Sequence, residues 1–115
     1  MSSKSLSIII PCFNEEATIS EVLRRVIDSE VMGLSLEVVI IDDGSTDGSV
    51  KIIEAAAHSD TRVHIEKHAS NCGKGAAIRT GFKAAKGDII LIQDADLEYD
   101  PAEYPGLLAP FINDD

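Results

Sequence analysis

The sequence contains no tryptophan, few aromatic residues of any kind and few cysteines. Only 4% of its 115 residues are Phe, Trp or Tyr although 44% are hydrophobic, so the core must be built from aliphatic side chains. Cys12 and Cys72 are too few for a disulfide framework, and we expect two reduced thiols of a cytosolic protein. The length fits one small domain over residues 1–115.

Basic residues and long hydrophobic runs are also scarce. Asp and Glu outnumber Lys and Arg by 20 to 10, and the net charge of −10 argues against nucleic acid or an anionic membrane as the main partner. No run approaches the roughly 18 apolar residues of a membrane span. The run Leu6–Ile10 lacks the cleavage pattern of a signal peptide. We therefore expect a soluble, cytoplasmic chain without a transmembrane segment.

Four short apolar runs predict β-strands. They are nearly continuous in Ile, Val and Leu, except the third, and lie at Leu6–Ile10, Val38–Ile41, Val63–Ile65 and Ile89–Ile92. Continuous apolar strands are typical of a parallel sheet buried on both faces. Helical patterns separate the runs, so the order β-α-β-α-β-α-β predicts an α/β fold with a mostly parallel sheet of about four strands.

The helices between these strands are predicted from apolar periodicity and from capping residues. Asn14 is expected to cap the first helix, with Glu15 and Glu16 in its first turn. The second is expected to begin near residues 45–47. The third is expected to begin near residues 71–74, to bury Ile78, Phe82 and Ala85, and to stop at Gly87.

A last helical segment is predicted after Asp100-Pro101, which form a plausible pair of N-cap and first helical residue. Pro105-Gly106 and Pro110 are expected to interrupt it. The chain then stops without a closing strand, so we expect it to be the N-terminal portion of a longer protein.

Carboxylates gather where the predicted strands end. Asp94 and Asp96 follow the fourth strand, Asp43 follows the second, and Glu15 follows the first. In an open parallel sheet these ends form one ligand-binding edge. Two carboxylates about 4 Å apart repel each other by ~4 kcal/mol at an effective dielectric of about 20. Since Lys74 and Arg79 are the only basic candidates nearby, this edge predicts bound Mg²⁺ or Mn²⁺.

Other polar residues near these ends have two interpretations that the sequence leaves open. Ser45, Thr46 and Asp47 can simply form a turn and cap the second helix. The run Gly73-Lys74-Gly75 is as compatible with a tight turn as with a phosphate cradle, because it lacks the third glycine or the Ser/Thr of known phosphate loops. The three histidines, His58, His64 and His68, show no ligand spacing and are assigned no role.

Three motifs in order carry a family resemblance: SIIIPCFNEE, VVIIDDGSTDGS and NCGKGAAIRTGFKAAKGDIILIQDAD. Together they resemble the N-terminal half of family 2 glycosyltransferases with the GT-A fold, from about Ser5 to Phe111. The tail DADLEYDP is most similar to the dolichyl- or polyprenol-phosphate mannosyltransferase branch.

The resemblance implies roles for individual residues. Pro11, Phe13 and Glu15 match a segment that lines the nucleotide pocket, where Phe13 replaces the commoner Tyr and keeps ring stacking without the hydroxyl. Asp43, with Ile41 beside it, matches the residue that contacts the base or ribose, and Asp42 is expected to support the loop. The resemblance also implies that Asp94, Ala95 and Asp96 form a D-x-D motif that binds substrate, with Asp94 and Asp96 as catalytic residues and metal ligands. It implies Glu98 as a further metal ligand. Lys74 is a further substrate-binding candidate.

The resemblance also implies an activity. The chain is expected to supply donor and metal binding to an inverting glycosyltransferase that uses a GDP- or UDP-sugar and Mg²⁺ or Mn²⁺. The acceptor is expected to be a polyprenyl phosphate or a glycan, and the full-length protein is placed at the cytoplasmic face of the membrane.

Three alternatives remain at this point. A receiver-like phosphoacceptor domain has a similar size and an acidic Mg²⁺ pocket, but its acids follow other strands. A dinucleotide-binding oxidoreductase needs a glycine-rich turn where residues 11–14 read Pro-Cys-Phe-Asn. An inactive nucleotide-binding module would keep the site without the transfer.

Overall fold

The computed structural model describes residues 4–96 and 101–112, with side chains as far as Pro110. Four strands alternate with helices in the predicted order. The strands are β1 Ser5–Cys12, β2 Ser35–Asp42, β3 Val63–Lys67 and β4 Ile89–Ile92. The helices are α1 Ile19–Ile27, α2 Ser49–Ser59, α3 Lys74–Ala84 and α4 Tyr104–Ile112, the last preceded by a 3-10 turn at Pro101–Glu103. The predicted α/β class and the four strands are confirmed.

The four strands form one parallel sheet in the order β3-β2-β1-β4. Alternate strand residues face opposite sides, so Ile8, Ile10 and Ile40 pack with α1, α2 and α4, while Ile9 and Ile41 pack with α3. Burial on both faces explains why these strands are continuous in aliphatic residues. All of the carboxyl ends of these parallel strands therefore lie at one edge of the sheet.

The predicted start of the first helix is wrong. α1 begins at Ile19, and the carbonyl of Glu15 accepts hydrogen bonds from the amides of Thr18 and Ile19 in the turn that precedes it. Asn14 has φ 51° and its side-chain oxygen accepts a hydrogen bond from the Thr46 amide at 2.8 Å. The side chain expected to cap α1 therefore joins two loops instead.

Two predicted features of α3 are also wrong. Phe82 is 49% exposed, because the small residues Ala77 and Gly81 face the sheet instead. A Cβ at Gly81 would lie 2.5 Å from the Ile9 side chain, so a larger residue there would push the helix off the sheet. The helix ends at Ala84, and Gly87 packs against Ser7, whose hydroxyl accepts a hydrogen bond from the Gly87 amide at 2.8 Å.

The last helix is continuous, contrary to the prediction. α4 runs from Tyr104 to Ile112 with Pro110 inside it. Pro105 lies in the first turn, where a missing amide costs no helical hydrogen bond. The expected cap Asp100 lies outside the described residues. Within residues 4–96 and 101–112, no helix has both the length and the apolar character to cross a membrane.

Candidate functional site

A cleft of about 360 Å³ opens at the carboxyl edge of the sheet. The strand order reverses between β1 and β4, and open α/β sheets bind ligands beside such a point. Residues from the ends of three strands and from the start of α3 line the cleft, among them Pro11, Phe13, Glu15, Asp43, Lys74, Asp94, Ala95 and Asp96. Eight of the sequence-predicted site residues therefore lie around one cavity.

Asp43 is the carboxylate that is held most completely. It directly follows β2, is 3% exposed, and its Oδ1 accepts hydrogen bonds from the His68 ring Nδ1 at 2.7 Å and the Cys72 amide at 2.9 Å. Its Oδ2 accepts one from the Gly73 amide at 2.9 Å. Burial acts to raise the pKa of Asp43, but these hydrogen bonds outweigh burial and lower it below its ordinary value. We call Asp43, His68, Cys72 and Gly73 the β2 corner.

The β2 corner depends on a close approach of two loops. Gly44 has φ 77°, and a Cβ there would lie 2.6 Å from the backbone nitrogen of Asn71. Only glycine adopts this conformation readily and leaves room for the loop that carries His68 and Cys72. His68 is fixed in turn, because its Nε2 lies 2.8 Å from the Thr80 hydroxyl on α3.

The loop after β1, which carries Phe13 and Glu15, is held by the loop after β2. The Asn14 amide donates to the Ser45 hydroxyl at 2.9 Å, and the Glu15 amide donates to the buried Ser49 hydroxyl at 2.9 Å. Phe13 itself is 41% exposed at the cleft. Ser45, which the sequence predicts in the turn before the second helix, therefore also positions the proposed nucleotide-lining segment, together with Ser49.

Asp47 supports the start of α2 and also holds the loop after β1. Its Oδ1 accepts a hydrogen bond from the Ser49 amide at the start of α2, and its Oδ2 accepts one from the Glu16 amide at 3.2 Å. One carboxylate thus pairs with the first amide of α2 and joins the two loops.

The opposite side of the cleft is formed by residues after β4. Lys74, the first residue of α3, places its Nζ 2.5 Å from Asp94 Oδ1. The carbonyl of the buried Ala95 accepts a hydrogen bond from the Thr18 hydroxyl at 2.5 Å, and Asp96 is exposed. We call Lys74, Asp94, Ala95 and Asp96 the β4 corner. Glu98, the further predicted metal ligand, lies outside the described residues.

Negative charge exceeds positive charge in the cleft. Among its described lining residues, four are carboxylates, Glu15, Asp43, Asp94 and Asp96, and Lys74 is the one cation. Burial, followed by repulsion from Asp96, Asp47 and Asp94, raises the pKa of Glu15. Hard carboxylate oxygens with unbalanced charge are a donor set that fits Mg²⁺ or Mn²⁺. The residues of the β4 corner therefore fit the implied ion.

A second group of potential ligands has a different explanation. The ligand atoms of Asp43, His68 and Cys72 lie within 4.8 Å of one another. Such donors suit Zn²⁺ better than Mg²⁺. However, the two ring nitrogens of His68 are already paired with Asp43 and Thr80, and Asp43 accepts three hydrogen bonds. We interpret this group as a hydrogen-bond network that orients Asp43.

Two residues near Asp43 lie apart from the cleft. Ile41 is fully buried and packs with Ile9, Val39 and Ala77, so its side chain does not line the cavity. Asp42 lies on the opposite face from Asp43 and is 3% exposed, and its Oδ1 has no hydrogen-bond partner in the described part of the chain. Burial, together with the nearby carboxylate of Asp42, raises the pKa of the Cys12 thiol to about 11.

Several supporting residues were missed from the sequence. His68 orients Asp43, and Thr18 holds the Ala95 carbonyl. The buried pair Gln93 and Tyr104 joins α4 to the end of β4, with the Tyr104 hydroxyl donating to Gln93 Oε1 at 2.6 Å. Only their positions in the sequence could have indicated these supporting residues. Gln93 immediately precedes Asp94, and Thr18 immediately precedes the periodic apolar residues of α1.

Comparisons with known proteins agree with this geometry. The profile of the family described as "Glycosyl transferase family 2" matches residues 7–115. The undecaprenyl-phosphate 4-deoxy-4-formamido-L-arabinose transferase of Shewanella sediminis is 45% identical over 106 residues, which are 90% of this chain and 32% of that protein. The chain thus spans about a third of the length of the curated relatives it matches.

Solved structures agree in fold. S. aureus TarS 1–349 in complex with UDP-GlcNAc matches with a TM-score of 0.80 and 29% identity, over 95% of this chain and 31% of that one. The mannosyltransferase PcManGT from Pyrobaculum calidifontis, in complex with GDP-Man and Mn²⁺, matches with a TM-score of 0.74 and 28% identity. The match covers 84% of this chain and 28% of that one. The motifs, the sheet order and these matches lead to one conclusion: this chain belongs to glycosyl transferase family 2.

Proposed function

We propose that this chain is the donor-binding part of a metal-dependent, inverting glycosyltransferase, and that residues 1–115 form one nucleotide-sugar-binding domain of a longer protein. The observation that carries the proposal is the convergence of Phe13, Asp43, Asp94 and Asp96 on one cleft. The phosphoacceptor and dinucleotide-binding alternatives are set aside because the chain belongs to a glycosyltransferase family.

The nucleoside of the donor is assigned to the side of the cleft that Phe13 and Asp43 share. The exposed ring of Phe13 offers a stacking surface, and Pro11 lies beside it along the lining. Asp43 Oδ2 accepts one protein hydrogen bond, so it retains capacity for a donor group of the base or ribose. Because the β2 corner fixes this carboxylate in advance, binding does not have to order it.

The diphosphate of the donor is assigned to the β4 corner. Asp94 and Asp96, with Glu98, would hold Mg²⁺ or Mn²⁺, and the ion supplies Lewis-acid stabilisation of the charge that develops on the leaving diphosphate. Two observations support this assignment: the surplus of carboxylates in the cleft and the raised pKa of Glu15. Lys74 adds a positive charge on the same side. The solved relative PcManGT is in complex with GDP-Man and Mn²⁺.

The acceptor is proposed to be a polyprenyl phosphate. The similarity to undecaprenyl-phosphate sugar transferases and the tail of the D-x-D motif support this proposal. With such an acceptor, we propose that the full-length protein acts at the cytoplasmic face of the membrane. A phosphate oxygen of such an acceptor is already anionic, so it can attack without a strong general base. A glycan acceptor would need a carboxylate from another part of the protein.

Calorimetry with UDP and GDP, each with and without Mn²⁺, tests the proposal. We expect one of the two nucleotides to bind in the presence of Mn²⁺ and to bind more weakly in its absence. Failure of both nucleotides to bind with Mn²⁺ present would contradict the proposal. Binding without sugar transfer by the complete protein would instead favour an inactive nucleotide-binding module.

A further inference from the structure

We propose that Lys74 changes its partner when the donor binds: it neutralises Asp94 until a divalent ion takes that carboxylate, and then pairs with the donor's diphosphate. This inference rests on the proposed function, since it assumes that the ion and the diphosphate share the β4 corner. It adds a second route, through Lys74, by which metal binding and nucleotide binding are coupled, beyond the direct contact of the ion with the diphosphate.

The ion pair joins two elements across the cleft. Lys74 begins α3 and Asp94 lies two residues beyond β4, and their charged atoms are 2.5 Å apart. The side chain of Lys74 is 61% exposed whereas that of Asp94 is 19% exposed. The lysine can therefore move away at little cost in packing, while the carboxylate stays in place.

Lys74 and a metal ion would compete for the same oxygen of Asp94, Oδ1. A magnesium ion lies about 2.1 Å from its oxygen ligands. An ammonium 2.5 Å from Asp94 Oδ1 would then approach the ion closely, and like charges at that separation repel strongly. Metal binding through Asp94 Oδ1 therefore requires Lys74 to move or to lose its short contact.

The donor supplies the new partner. Among the described residues that line the cleft, Lys74 is the one cation, and the diphosphate would enter a cavity that also contains four carboxylates. The displaced ammonium is attracted to the phosphate oxygens and repelled by the ion, so both forces favour the same movement. By linkage, the nucleotide then strengthens metal binding and the metal strengthens nucleotide binding by the same factor.

The experiment compares Lys74→Gln with wild type in the full chain, and Lys83→Gln serves as the matched control because Lys83 is an exposed lysine near the end of the same helix. Calorimetry measures the Kd of Mn²⁺ alone and the Kd of UDP or GDP at saturating Mn²⁺. For Lys74→Gln we expect Mn²⁺ alone to bind about twofold to fivefold more tightly, because an exposed competing ion pair is lost. We expect the nucleotide to bind about tenfold more weakly, because a charge-assisted contact is lost.

A background variant isolates the pair. The double variant Asp94→Asn/Lys74→Gln should bind Mn²⁺ with the same affinity as Asp94→Asn alone. The reason is that Asp94→Asn has already removed the carboxylate for which Lys74 and the ion compete. Lys83→Gln should change neither constant in either background.

Two results would overturn the exchange. If Lys74→Gln weakens Mn²⁺ binding, the lysine is a fixed support that orients Asp94 for the ion. If Mn²⁺ affinity is unchanged and only the nucleotide binds more weakly, Lys74 contacts phosphate without competing for Asp94. If the wild-type protein binds no nucleotide with Mn²⁺ present, the proposed function fails, and the Mn²⁺ titration still decides whether Lys74 competes with the ion.

Discussion

The β2 corner and the β4 corner both contain aspartates, but the chain surrounds these aspartates in different ways. Each presents aspartate carboxylates at the carboxyl end of a strand in the same cleft. At the β2 corner, Asp43 is buried and accepts three hydrogen bonds from the chain itself. At the β4 corner, Asp94 has a short contact with the exposed Lys74, and Asp96 is exposed.

The difference indicates which partner each corner is suited to bind. A carboxylate that backbone amides already orient and keep ionised can accept a hydrogen bond from a neutral group, such as a base or a ribose, without rearrangement. A group of carboxylates that outnumbers the basic residues around it, as in this cleft, gains most from a cation. The following changes test this division of the cleft, beginning with the largest expected effect.

Removing Asp96 should have the largest effect on transfer. Asp96→Ala deletes a proposed hard oxygen ligand of the ion and should abolish the metal dependence of nucleotide binding. Loss of electrostatic stabilisation at the leaving group should lower kcat by roughly a factor of 10²–10³ in the complete protein. Steady-state kinetics and calorimetry with and without Mn²⁺ measure both effects. Retention of metal-dependent binding and transfer would show that the metal site lies elsewhere.

The strands and the cleft could be predicted because they depend on patterns that are visible along the sequence itself. Short aliphatic runs indicated all four strands, and residues just past a strand end must lie at the sheet edge in a parallel sheet. Asp43, Asp94 and Asp96 could therefore be brought together from the sequence, and the structure places them around one cavity.

The features that could not be predicted depend on contacts between loops. Asn14 looks like a helix cap from its neighbours, yet its side chain binds Thr46, which is 32 residues away. His68 has no ligand spacing in the sequence, and its role depends on the fold bringing it to Asp43 and Thr80. Phe82 was expected in the core, but small residues face the sheet in its place. Local periodicity contains no information on these partners.

Asp43→Ala should weaken nucleotide binding by about 1.5–3 kcal/mol, both with and without metal, because its expected partner is the base or ribose. This contrasts with Asp96→Ala, which acts through the ion. The burial of Asp43 adds a second effect: the removal leaves the donors of His68, Cys72 and Gly73 without their acceptor and should cost about 1–3 kcal/mol of unfolding free energy. Calorimetry and urea denaturation separate the two effects.

The matched control for this change is Asp47→Ala. Asp47 also accepts two backbone hydrogen bonds but does not line the described cleft. The Asp47→Ala change should therefore lower the unfolding free energy more than it lowers the intrinsic affinity for nucleotide. Equal losses of affinity in the two variants would remove the special role assigned to Asp43.

Gly44→Ala should disturb the β2 corner without touching a charged group. A methyl group would lie 2.6 Å from the Asn71 backbone nitrogen, and φ is 77°. Gly33→Ala provides the control, since Gly33 has φ 79° but nothing lies within 4 Å of the position that its methyl group would take. Backbone strain is common to both, so the difference in unfolding free energy isolates the clash, which we expect to be roughly 1–3 kcal/mol. Equal losses would mean that the loop near Asn71 moves aside freely.

Acid should expose the smallest of these differences, the contribution of the ionised Asp43 to stability. Its pKa is lowered in the folded protein, so the stabilisation is fully present above the ordinary pKa of an aspartate, about 3.9, and is lost as the pH falls through the lowered value. Asp43→Asn cannot ionise and lacks this contribution at every pH. The unfolding free energies of wild type and Asp43→Asn, measured by urea denaturation from pH 7 downward, should therefore differ by a constant amount at neutral pH and converge below about pH 4. A difference that stays constant into strong acid would mean that the hydrogen bonds of the β2 corner do not depend on the charge of Asp43.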